Sequence, residues 1–123
     1  MRSLALFTIL FGSLALGDLQ QPGEHRLYLS EAEGSRHIRH RVAPDCPDIC
    51  SRCEGAEVTV KVVVGKSGAV KEVTVIRTPD RKLGEAAQEA VRQWRYERYL
   101  LNGSPVEYET YTTIRKWRCG RRS

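Results

Sequence analysis

The chain has 123 residues, 41% of them hydrophobic and 28% charged, which fits one small domain with a single core and excludes a multidomain enzyme with separate cofactor and substrate modules. Lysine and arginine number 20 against 15 aspartates and glutamates, a formal charge of +5. That excess favours anionic surfaces without choosing among nucleic acid, lipid headgroups and acidic partners.

Arg2 is followed by an apolar run over residues 4–16, broken only by Thr8, Gly12 and Ser13. A positive start, a short apolar stretch and small residues before Asp18 describe an export signal over residues 1–17, and the run falls short of the roughly 20 residues that cross a bilayer. The expectation is an exported, periplasmic chain. An uncleaved signal holding the domain at the outer face of the inner membrane is the alternative.

Residues 18–42 are polar, with Gly23, Gly34, three histidines and no sustained apolar period, and read as an irregular lead-in with room for a short helix around residues 29–39. His37 and His40 stand at helical spacing and read as a solvated face rather than as metal ligands. Four cysteines follow, Cys46, Cys50, Cys53 and the distant Cys119. In an exported chain an even count predicts two disulfides, at least one tying the two ends of the domain. Structural zinc sites usually present ligands as two pairs, so the isolated Cys119 argues against a metal, and none is expected.

Val58, Val60, Val62 and Val64 alternate with Thr59 and Lys61 and predict a strand over residues 56–64. Gly65-Lys66-Ser67-Gly68 turns the chain into a second strand over residues 70–77, where the step of three from Val70 to Val73 signals a bulge. After Thr78-Pro79-Asp80 the period becomes helical. Leu83, Ala86, Ala87, Ala90, Val91 and Trp94 form one stripe, predicting a helix over about residues 81–97 that carries Trp94 as its core anchor. Asn102-Gly103-Ser104-Pro105 breaks the chain, and residues 106–117 alternate again as a third strand. The order β-β-α-β is an α+β two-layer sandwich, a three-stranded antiparallel sheet with one helix packed on one face.

No histidine lies in a motif with an acid and a nucleophile, and no glycine-rich phosphate loop occurs, so neither catalysis nor a cofactor is expected. Cys50-Ser51-Arg52-Cys53 has the spacing of redox motifs, but a strand follows it where a reactive thiol would want a helix N-terminus. Arg115-Lys116-Trp117-Arg118 and Arg121-Arg122 form a basic, aromatic-tipped tail of the kind that contacts phosphates and stacks on bases. Export argues against nucleic acid and leaves a solvated tail or contact with a membrane surface.

Glu54-Gly55 ahead of the valine strand, the Gly68-x-Val70 hairpin, Ala90-Val91-Arg92-Gln93-Trp94-Arg95-Tyr96 and Asn102-Gly103-Ser104-Pro105-Val106 together give the chain a family likeness. It resembles the TonB C-terminal domain, with the domain over residues 43–119 and a basic tail over residues 120–123. The resemblance implies docking in the periplasm onto a segment of an outer-membrane transporter, which adds as a strand to the edge of the last strand. The edge maps onto Val106, Glu107, Tyr108, Glu109, Thr110, Tyr111, Thr112, Thr113, Ile114 and Arg115, with Tyr108 turned inward and Tyr111 available to the partner. A homodimer formed through the hairpin stays open.

The family topology sets the last strand beside the first and antiparallel to it, which implies Cys53 opposite Cys119, with Cys46–Cys50 as the second disulfide and Cys46 or Cys50 as alternative partners of Cys119. The same pairing sets Val58 opposite Ile114, Val60 opposite Thr112 and Val62 opposite Thr110, so the apolar faces agree with the bridge. The five prolines include no clustered spacer. The expected protein is therefore a free-standing periplasmic binding module, with a membrane-tethered energy transducer subunit as the alternative.

Overall fold

The structure is a computed structural model and describes residues 26–120. The export signal, the first part of the lead-in and Arg121-Arg122 of the tail lie outside the described residues. Among the described residues no helix is long and apolar enough to cross a membrane.

Alternating valines give β3 (Val58–Val64), and the Gly65–Gly68 turn returns the chain as β4 (Val70–Arg77). Gly68 has φ +93°, and a Cβ there would overlap the carbonyl oxygen of Tyr96, so this turn requires glycine twice over. The expected bulge is present: Val64 pairs with Val70 and Val63 with Glu72, leaving Lys71 extra, and a second shift between Thr59 and Val60 releases Ile76. Helix α3 (Arg81–Val91) begins at Asp80, whose carboxylate accepts from Leu83 N–H at 2.9 Å. The chain returns as β8 (Tyr108–Ile114), antiparallel to β3 with Val58 opposite Ile114, Val60 opposite Thr112 and Val62 opposite Thr110. These elements realise the α+β sandwich read from the sequence.

The sheet is larger than expected. Its order is β1-β8-β3-β4, because β1 (Leu27–Tyr28) pairs parallel with β8 in the register Leu27 with Tyr108 and Tyr28 with Glu109. The polar lead-in is ordered where it is described: the short helix expected around residues 29–39 is α1 (Glu31–Arg36), and β2 (Ile38–His40) follows it. Ser30 caps α1, its side chain accepting from Glu33 N–H at 3.1 Å. Helix α1 lies over β8 as α3 lies over β3 and β4, so two helices rather than one cover the face.

The predicted helix over residues 81–97 ends early. The amides of Gln93 and Trp94 bond back three residues, to Ala90 and Val91, in a tightened last turn. Beyond it, β5 (Arg95–Tyr96) pairs with β2 on one side, and Tyr96 N–H donates to Gly68 C=O at 2.9 Å on the other. An extended backbone at residues 95–96 satisfies two neighbours that a continued helix would leave unpaired. Residues around Asn102-Gly103 form a separate hairpin of β6 (Tyr99–Leu101) and β7 (Ser104–Val106).

The core lies between sheet and helices and contains Val58, Val60, Val62, Val64, Leu83, Ala87, Val91, Trp94, Tyr96 and Tyr108. Trp94 is buried although it lies beyond the helix, and its Nε1–H donates to Val42 C=O at 2.8 Å.

The four cysteines form the disulfides Cys46–Cys53 and Cys50–Cys119, a pairing different from Cys53–Cys119 with Cys46–Cys50. The expected pairing carried the β3–β8 ladder back to residue 53 and forward to residue 119. The ladder stops short at both ends. Cys50–Cys53 forms a helical turn, α2, which turns Cys53 into the core, and Trp117 leaves the ladder to donate from Nε1 to Ala56 C=O at 3.1 Å. Arg118 then exchanges backbone hydrogen bonds with residues 44 and 46, which brings the C-terminal segment beside the cysteine cluster.

Candidate edge-strand binding site

Strand β8 and its outer side form the candidate site. Backbone polar groups alternate in direction along a strand, so the acceptors that face away from β3 can be followed residue by residue. Glu107 C=O accepts from Leu27 N–H at 3.5 Å and Glu109 C=O from Leu29 N–H at 2.9 Å. The same alternation turns the backbone groups of Tyr111 and Thr113 to the outer side. Among the described residues neither has a backbone partner there.

The other long edge of the sheet is partly occupied. Gln88 on α3 donates from Nε2 to Val73 C=O at 2.8 Å, occupying the middle of the β4 edge, and the two bulges interrupt that strand near its ends. Among the described residues, Tyr111 and Thr113 thus offer outward backbone groups with no partner, while on the β4 edge the Val73 carbonyl is taken.

The structure distributes the expected site residues among several roles. Val106 belongs to β7 and pairs with Tyr99, so it stands outside the edge. Tyr108, Thr110, Thr112 and Ile114 turn their side chains into the core and are buried. Tyr108 donates its hydroxyl to Glu97 C=O at 2.9 Å, and burial pushes its phenol above the ordinary range. Tyr111 is exposed on the opposite face, and Thr113 shares a hydroxyl hydrogen bond with Thr59 at 3.1 Å. Arg115, just past the strand, pairs with Glu57 at 3.0 Å.

The edge is polarised along its length. At its start Glu109 is 6% exposed, yet ionised partners surround it, Arg26 at 3.3 Å and Lys61 at 4.0 Å. Glu107 is hydrogen-bonded by Lys71 and approached by Arg26 at 3.8 Å. The Lys71 hydrogen bond holds its carboxyl below the usual range against the opposing effect of burial, and the charges of Lys71, Arg26 and Lys66 lower it further. The far end opens into a groove of about 430 Å³ lined by Arg41, Val42, Pro44, Trp94, Thr113 and Arg115 among others. Lys116 lines the same groove, and Arg41 lies over the Trp94 ring at 5.2 Å.

Of the basic, aromatic-tipped segment, Trp117 is half-buried and hydrogen-bonded, and Arg118 pairs with Asp45 at 2.8 Å, so residues 117–118 are docked rather than a free tail. All four cysteines are in disulfides. Sequence reading missed the contribution of Arg26, Leu27 and Leu29 to the edge. Four residues between polar neighbours show no period, although a cation followed by alternating leucines was the available signal.

The family described as Gram-negative bacterial TonB protein C-terminal matches residues 51–116. Comparison with curated proteins and with solved structures gives no match.

Proposed function

Since the chain belongs to the TonB C-terminal family, whose domains are periplasmic and interact with proteins such as outer-membrane transporters, we propose that it is a non-enzymatic periplasmic binding module that takes up an extended partner peptide by strand addition at β8. The observation that carries this reading is the unpaired outer backbone at Tyr111 and Thr113, on a sheet whose other edge is interrupted by two bulges and has its Val73 carbonyl taken by Gln88. An added strand satisfies those groups at little cost, since the strand that offers them is already held by β3. Tyr111 supplies an exposed aromatic face beside it.

Thr113→Pro tests the reading. It removes an outward N–H, while the neighbours that bond to β3, Thr112 and Ile114, keep theirs. Isothermal titration with synthetic peptides copied from the periplasmic segments of outer-membrane transporters should give binding to the wild-type chain that falls at least about tenfold in Thr113→Pro. Gln88→Ala, which alters the opposite edge, should bind as the wild type does. Equal binding by Thr113→Pro and wild type, with both folded, would overturn strand addition at β8.

A further inference from the structure

The edge assigned above to a partner is already half occupied by the chain itself. Leu27 and Tyr28 lie parallel to β8, Leu27 and Leu29 pack against the core, and Tyr28 stands 67% exposed on the other side. Arg26 fastens this segment electrostatically to Glu107 and Glu109. At Ser30 the chain departs to begin α1, and Thr110 marks the departure by donating its hydroxyl to Ser30 C=O at 3.0 Å.

A two-residue strand is a weak ladder. The bond from Leu27 is long at 3.5 Å, and the Arg26 pairs are partly exposed. A longer peptide in the same line would make the contacts that β1 makes and add those of Tyr111 and Thr113. The charges along that line also change sign. Glu107 and Glu109 stand at its start, Arg41, Arg115 and Lys116 at its end, and Lys116 has no ion pair among the described residues.

Resting on the strand-addition reading, we propose that residues 26–29 are an internal placeholder which the partner displaces. The partner is an extended segment parallel to β8, with a cation opposite Glu107, apolar side chains at its second and fourth positions, and carboxylates where it meets Arg41, Arg115 and Lys116. Arg26-Leu27-Tyr28-Leu29 is the template for the first half, and the basic groove specifies the second. The parallel sense follows from β1, and the sign pattern follows from the two ends of the edge.

The test uses the full chain and two labelled nine-residue peptides, Arg-Leu-Thr-Leu-Thr-Val-Glu-Val-Glu and its charge-exchanged counterpart Glu-Leu-Thr-Leu-Thr-Val-Arg-Val-Arg, followed by fluorescence anisotropy. Arg26→Glu turns the placeholder's cation into a third carboxylate beside Glu107 and Glu109. An edge freed in this way binds the first peptide about tenfold tighter than the wild type, because a site that is open a tenth of the time loses that factor in apparent affinity. The exchanged peptide binds both proteins at least about tenfold more weakly than the first.

Equal affinity of wild type and Arg26→Glu for the first peptide would overturn the placeholder, and equal affinity of the two peptides would overturn the sign pattern. Either result can stand with strand addition intact, provided Thr113→Pro still loses binding. No binding of either peptide to either protein overturns the proposal altogether. Should Arg26→Glu fail to fold, hydrogen exchange on the wild type decides. Saturating first peptide must strip protection from the Leu29 amide, and retained protection with the peptide bound would overturn displacement.

Discussion

Gly34 rests directly on Thr110: a Cβ at residue 34 would overlap the Thr110 hydroxyl, and the same hydroxyl donates to Ser30 C=O one turn earlier. This contact sets how closely α1 approaches β8. Gly34→Ala gains helix propensity yet forces the two elements apart, and a net loss of about 1–3 kcal/mol is expected in urea denaturation. Thr110→Ala in the same chain removes the obstructing atoms, so the double variant should be more stable than the sum of the single effects.

The two disulfides should differ in weight. Cys50–Cys119 spans 69 positions and Cys46–Cys53 only 7. Chain entropy alone gives upper figures of about 4 and about 2.5 kcal/mol. Denaturation of Cys50→Ser/Cys119→Ser and of Cys46→Ser/Cys53→Ser should rank them in that order, and a non-reducing peptide map of the wild type should join residue 50 to 119 and residue 46 to 53.

Glu107 ties stability to acid. Its folded carboxyl sits below the ordinary value, so it stabilises the fold fully above the unfolded glutamate value of about 4.3, and that contribution is lost as the pH falls through the folded one. Lys71→Met removes the leading cause of the depression. The melting temperature of the variant should fall less steeply than that of the wild type over this acidic range, and the two profiles should run parallel near neutrality.

Tyr96 carries a buried hydroxyl with no hydrogen-bond partner among the described residues, and burial pushes its phenol well above the ordinary range. Removing an unsatisfied hydroxyl relieves a desolvation cost while leaving the ring packing on Tyr108 and Trp94. Tyr96→Phe should therefore be neutral or stabilising by up to about 1 kcal/mol in thermal unfolding. Tyr108→Phe, which strands the Glu97 carbonyl, should be destabilising by a similar amount.

The parts of the fold that sequence reading anticipated are those where one physical signal repeats. Four valines alternate on one face of β3, and the β3–β8 register that the family resemblance implied is the one present. The turn, the bulge after Val70 and the inward Tyr108 follow from the same alternation. What was not legible depends on distant partners. Nothing near Arg92 ends a helix, and α3 stops because Arg95 and Tyr96 are wanted by β2 and by the Gly68 loop. Leu27 and Tyr28 have no period to show, and their strand exists only because β8 offers an edge. Two disulfides are present, one tying the domain ends through Cys50, a partner of Cys119 the sequence left open; the favoured Cys53–Cys119 pairing failed because the α2 turn and Trp117 interrupt the ladder it assumed.

Gln88 has a consequence for stoichiometry. A sheet that accepts a strand at one edge could in principle offer its other edge to the next copy, and such head-to-tail growth does not close. Here the carbonyl at the centre of β4 is already taken by a side chain of the domain's own helix. A second copy adding at β4 would have to displace that side chain, which disfavours head-to-tail growth from this edge.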